Sequence, residues 1–273
     1  MGIQLFSQLS QKTHRGLCVS AALCTLSAMT LSGCSIFSQP QPQPDPTLLE
    51  FYHTALAQNR HDDAAVLERE IIRLCGHYKN GDIPDSCDAE SLATTAPTSD
   101  DTPASSRIFQ KIGDVDRQSL PIVVEEYAKL CAQGEPVDLA PQASVNDRDD
   151  LATLRTALNH EKTLMYAFGL ARAFADSATQ EKLDVLTQTH LNRINTLELS
   201  LPADQEIPAQ APAYRFDQYT TVSDEPTAAI FLSELLDDDL SFWKNTASQA
   251  HETSWRALSL SFAGDSAKAQ AVP

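Results

Sequence analysis

The chain has 273 residues, with 37 Asp and Glu against 20 Lys and Arg, and a formal charge of −17 at pH 7. A surface this acidic repels nucleic acid and anionic lipid headgroups, so no DNA or RNA partner is expected. Beyond the N-terminal region no apolar run is long enough to span a bilayer.

Lys12 and Arg15 precede an apolar stretch from Gly16 to Thr30, and Leu31-Ser32-Gly33-Cys34 follows it. A cationic start, an apolar segment too short for a stable span and small residues before a cleavage point make an export signal. The pattern resembles the signal and lipobox of bacterial lipoproteins. That resemblance implies cleavage of residues 1–33 after Gly33, a lipid such as palmitate on Cys34, and a mature protein held by it on the extracytoplasmic face of the cell membrane. A single acyl chain holds weakly, at about 0.8 kcal/mol per buried methylene, but several chains on one Cys anchor well. Ser35, rather than Asp, follows Cys34. By the same resemblance this argues against inner-membrane retention in a two-membrane bacterium. Gln and Pro alternate from Gln39 to Pro44, and Pro46 follows Asp45. Such a run favours extended polyproline, so residues 34–46 read as a semi-rigid tether.

Residues 47–140 read as an N-terminal helical region. From Thr47 to Tyr78 the apolar residues Leu48, Phe51, Leu56, Val66, Ile71 and Leu74 recur at helical spacing, broken by the polar stretch Gln58 to Asp63. Lys79 to Arg107 is rich in Ser, Thr, Asp and Pro and predicts a mobile polar loop. Gln118 to Ala132 predicts another helix, stopped by Gly134 and Pro136.

Six cysteines are present. Cys18 and Cys24 leave with the signal and Cys34 takes the lipid, which leaves Cys75, Cys87 and Cys131 in an oxidising compartment. One disulfide and one spare thiol is the simplest arrangement. The short loop with Gly76, Gly81 and Pro84 favours Cys75–Cys87, with Cys75–Cys131 as the alternative. There is no CxxC, so thiol–disulfide exchange has no motif behind it.

Residues 145–273 predict four helices. Asn146 is the expected cap of the first, whose opening turn holds Asp147, Asp149 and Asp150. Ser177 with Gln180 suggests a capping box for the second. A Pro-rich crossover from Pro202 to Val222 leads to the third, opened by Ser223, Asp224, Glu225 and Pro226. The turn into the fourth falls between Lys244 and Glu252. Strand-like alternation is missing, so the fold class is all-α: a four-helix bundle with the N-terminal helices packed outside it.

Polar residues on apolar stripes are the site candidates. Glu161 lies between Leu158 and Met165, and His190 between Leu186 and Ile194. Glu234 shares a face with Ile230, Asp238 and Ser241, and His251 joins Ala247, Leu258 and Phe262 if the fourth helix starts early. Glu161, His190, Glu234 and His251 together suit either one Fe, Mn or Zn ion or a buried polar network in which Glu161 pairs with His190 or Arg193. Asp237-Asp238-Asp239 reads as a solvated acidic face, because consecutive helical residues point about 100° apart. No Ser-His-Asp arrangement and no phosphate loop is present.

The run from Leu158 to Gly169, with His190-Leu191-Asn192-Arg193, Ala213-Tyr214 and Ala228 to Asp238, resembles a ferritin-like domain of actinobacterial lipoproteins of unknown function. The resemblance covers Asp147 to the C-terminus and implies a ferritin-like bundle, without implying its chemistry. A di-metal site wants Glu-x-x-His on the second and fourth helices. Here Thr187 and Ser248 stand three residues before His190 and His251, so both carboxylates are missing. The expectation is therefore a non-enzymatic binding or assembly module with no cofactor and an envelope protein partner. An extracytoplasmic mononuclear metalloprotein and a small-molecule carrier are the alternatives.

Overall fold

The computed structural model describes residues 41–94, 101–209, 211 and 213–271. The export signal, Cys34 and the first part of the tether lie outside the described residues. Every regular element among those described is helical. The elements are α1 (Pro46–Ala57), α2 (His61–Cys75), a short 3-10 turn (Asp85–Cys87), α3 (Ala89–Thr94), α4 (Ala104–Lys111), α5 (Leu120–Ala132), α6 (Arg148–Arg172), α7 (Ser177–Ser200), α8 (Glu225–Gln249) and α9 (Thr253–Ala271). None of them is long and apolar enough to cross a membrane.

The caps explain most boundaries. The Asp147 side chain accepts from the backbone of Asp149 and Asp150, so Asp147 rather than Asn146 caps α6. Asp176 accepts from Thr179 and caps α7, in place of the predicted Ser177 box. Asp224 and Thr227 form a reciprocal capping box on α8, with Pro226 in its first turn. The turn between α8 and α9 falls inside the predicted interval. Its later position takes His251 off the helix and off the stripe proposed for it.

Within 79–107, read as a mobile polar loop, the described residues include the 3-10 turn, α3 and the start of α4, while residues 95–100 lie outside the described residues. Few apolar residues lie in it, but they are used: Cys87 and Leu92 are fully buried, and His53 Nε2 on α1 bonds the Leu92 carbonyl at 2.8 Å. A disulfide joins Cys75 to Cys87, and Cys131 is a buried free thiol.

α6 packs along α7, α8 along α9, and α6 against α8. α5 lies against both α9 and α8, and α4 and α1 follow on its far side. Arg60, just before α2, and Lys129 on α5 pair with Asp63, and Arg60 also reaches Glu126 on α5. The bundle core is divided. One apolar cluster holds Leu154, Leu158, Leu197, Trp243, Trp255, Leu258 and Phe262, and a second holds Leu164, Phe168, Leu183, Leu186, Phe231 and Leu235. Each such buried side chain contributes roughly 1.5–3 kcal/mol. On each helix of the bundle a buried polar residue falls between the two clusters.

Candidate functional site

The polar layer between the two clusters is built one turn at a time. On α6 it falls at Glu161, between Leu158 and Leu164. On α7 it falls at His190 and Arg193, between Leu186 and Leu197. On α8 it falls at Asp239, between Leu236 and Trp243, and on α9 at Ser266, one turn beyond Phe262. Helical spacing of three or four residues brings these five side chains to one level. All are at most 2 % exposed.

His190 Nδ1 lies 2.6 Å from Glu161 Oε2, and Trp243 Nε1 donates to Glu161 Oε1 at 3.1 Å. Arg193 Nη1 donates to Asp239 Oδ2 at 3.1 Å and sits 3.5 Å from Glu161 Oε1. Its Nη2 donates to the Phe262 carbonyl and to Ser266 Oγ, both at 3.0 Å. Ser266 in turn donates to Asp239. The guanidinium carbon stands 5.2 Å from the Phe262 ring centre and 6.0 Å from that of Trp243. His160, one residue before Glu161, bonds Asp239 Oδ1 at 2.9 Å through Nε2 and stacks on Phe242 at 4.0 Å. With 19 % of its side chain exposed, His160 brings the layer to the surface.

Burial alone would raise the Asp239 pKa. Arg193, the hydrogen bond from His160 and the nearby His190 outweigh it and hold the carboxyl well below the usual carboxylate range. The same balance acts on Arg193: desolvation would lower its pKa, and Asp239 and Glu161 raise it instead. Asp265, on the adjoining turn of α9, behaves oppositely. Its burial pushes the carboxyl upward, and Arg193 and Lys268 offset this only in part.

Two of the four predicted site residues, Glu161 and His190, meet here. Glu234 does not. It is half-buried and accepts from Thr220 N at 2.7 Å and Thr220 Oγ1 at 2.9 Å, which fastens the crossover to α8. The inward face of α8 runs through Phe231, Leu235, Asp239 and Trp243, whereas Ile230 is 50 % exposed. The predicted stripe was therefore one position out of register. His251 stands on the surface, 3.7 Å from Asp147 Oδ2. Its backbone N–H and that of Glu252 bond Asp150, while Glu252 accepts from Asn146 N and Asp147 N. Asp239 was missed because it closes a run of three acids. Asp237 and Asp238 are exposed and Asp239 is not.

Glu161, His190 and Asp239 offer ligand atoms within 4.8 Å of one another, and Asp147, Asp149 and His251 form a more exposed group of the same kind. The buried trio has donors that a transition metal accepts. Its two carboxylates are, however, already joined by the Arg193 guanidinium, a group that stays protonated in proteins. An ion held by all three would stand beside that fixed positive charge.

A family model described as a domain of unknown function, DUF4439, matches residues 153–272. No curated protein and no solved structure matches the chain. The DUF4439 match spans nearly all of α6 to α9 and takes in every residue of the polar layer, while α5 lies outside it.

Proposed function

We propose that this is a lipid-anchored, non-enzymatic binding or assembly module of the cell envelope, built on a ferritin-like bundle whose centre is a charge network instead of a metal site. The observation that carries the reading is Arg193, bonded to Asp239 and close to Glu161 inside the bundle. A site in which each carboxylate is already engaged by several partners presents no open position for substrate or nucleophile. The lipobox around Cys34 supports the membrane attachment, and the acidic balance of the chain favours a basic envelope partner.

The trio of ligand atoms favours one second reading, a mononuclear Fe, Mn or Zn protein. A carrier draws less support. Such a protein wants a largely apolar pocket. The cleft of about 390 Å³ between α2 and α5 has apolar walls at Val66, Pro121 and Ile122, but four charged groups, Asp63, Glu125, Glu126 and Lys129, share its lining. That of about 300 Å³ between α7, α8 and the end of α9 is rimmed by Lys182 and Gln270.

Fractionation of cells expressing the native chain and Cys34→Ala tests the reading. The native protein is expected in the membrane fraction and the variant in the soluble fraction or as uncleaved precursor. Equal membrane association of both would reject lipid anchoring. Elemental analysis of the native protein purified without chelator is expected to find no stoichiometric Fe, Mn or Zn, and near-unit occupancy would favour the second reading.

A further inference from the structure

Glu161, His190 and Asp239 come from three different helices, and each presents a ligand atom within 4.8 Å of the other two. Two carboxylates and one imidazole form a donor set that Fe, Mn, Co or Zn accepts, at roughly 2.0–2.2 Å per ligand for zinc. Arg193 takes the cation's role from within. Nη1 faces both carboxylates, Nη2 is fixed by the Phe262 carbonyl and Ser266, and the Phe262 and Trp243 rings flank the guanidinium. The guanidinium is held at both terminal nitrogens, and a divalent ion beside it would meet like charge at short range.

We infer that Arg193 is a tethered cation lodged in a three-ligand metal frame. It keeps divalent ions out of the native chain, and shortening it opens the frame to one transition-metal ion. This rests on the reading of the layer as a metal-free network. It adds that the exclusion is due to one side chain and not to a lack of ligands.

The test uses full-length protein in detergent, incubated with Co(II) chloride, dialysed, and examined by elemental analysis and visible absorption. The native chain is expected to retain almost no cobalt. Arg193→Ala is expected to hold about one ion per chain, with the absorption bands of a low-symmetry site. Adding His190→Ala is expected to lower its affinity by roughly tenfold or more. Arg193→Gln, uncharged but still able to donate to Asp239, gives a second chance where Arg193→Ala loses its fold. Refolding of either variant on cobalt addition, followed by circular dichroism, also supports the inference. Folded variants that take up no cobalt overturn it and leave the metal-free reading intact, as do variants that stay unfolded with cobalt present. A native chain that binds one cobalt, lost in Glu161→Gln, overturns both.

Discussion

Asp239 is 1 % exposed and bonds His160, Arg193 and Ser266. Its folded pKa is depressed, so its contribution to stability is complete above the unfolded value of about 3.9 and is lost progressively as pH falls below that. Asp265 has the opposite sign. Its folded pKa is raised, so its charged form costs stability at neutral pH, and protonation relieves that cost as the solution is acidified. Asp239→Asn removes the carboxylate charge that Arg193 pairs with most closely, and breaking a buried pair costs about 3–5 kcal/mol. At roughly 2–4 °C per kcal/mol, the expected fall in Tm at pH 7 is on the order of 10 °C. The difference between variant and native chain should narrow in melts between pH 4 and pH 3, and a constant gap would show that the charge on Asp239 is not what stabilises the layer. Glu161 and His190 were legible in the sequence because each interrupts an apolar stripe. Asp239 was not, because its acidic neighbours on α8 hide which of the three faces inward, and only the packing of α8 on α6 and α9 decides it.

The helices themselves were readable from spacing and caps, and the N-terminus of α6 shows what a sequence leaves out. Asp150 is 2 % exposed and accepts the backbone N–H groups of His251 and Glu252, at the start of α9. Glu252 returns the bond to the start of α6. Two helix starts, distant in sequence, thus satisfy each other's free N–H groups. Asp150→Ala should cost about 1–2 kcal/mol, as loss of a strong cap does, and urea unfolding measures it. α3 and α4 escaped prediction for a related reason. They are 6 and 8 residues long and mostly polar, too short to be stable alone, and they hold because Leu92 and Ile108 are buried. The Cys75–Cys87 bridge closes a loop with a sequence separation of 12 just before them. Replacing both cysteines by Ser should cost about 3 kcal/mol through the freed unfolded chain. Cys131 should not substitute for either partner, since burial pushes its thiol pKa up to about 12 and leaves little thiolate to exchange.

The DUF4439 match ends where the bundle ends, but the packing does not. α5 covers α9 so closely that a Cβ at Gly264 would stand 2.8 Å from Tyr127 Cε1 and 3.1 Å from Cys131 Sγ. Leu260 of α9 and Ala247 of α8 belong to the apolar cluster of α1, α2, α4 and α5. Polar contacts follow the same line: Arg256 Nη1 donates to the Ile112 carbonyl at 3.1 Å, Ser261 Oγ to the Asp138 carbonyl at 2.7 Å, and Lys244 pairs with Glu125 at 2.7 Å. The N-terminal helices, expected from the sequence to pack outside the bundle, thus share an apolar cluster with α8 and α9. A fragment of residues 141–273 would expose Leu260 and the Gly264 face and leave Arg256 one carbonyl short. It is expected to bind a hydrophobic dye, to aggregate at concentrations where residues 41–273 stay monodisperse, and to melt well below them. The longer chain should unfold in one transition seen alike by tryptophan fluorescence, which reports Trp243 and Trp255 in the bundle, and by far-ultraviolet circular dichroism, which reports all the helices. A fragment that melted at the temperature of the longer chain, or two separate transitions in that chain, would show that α5 rests on the bundle without supporting it.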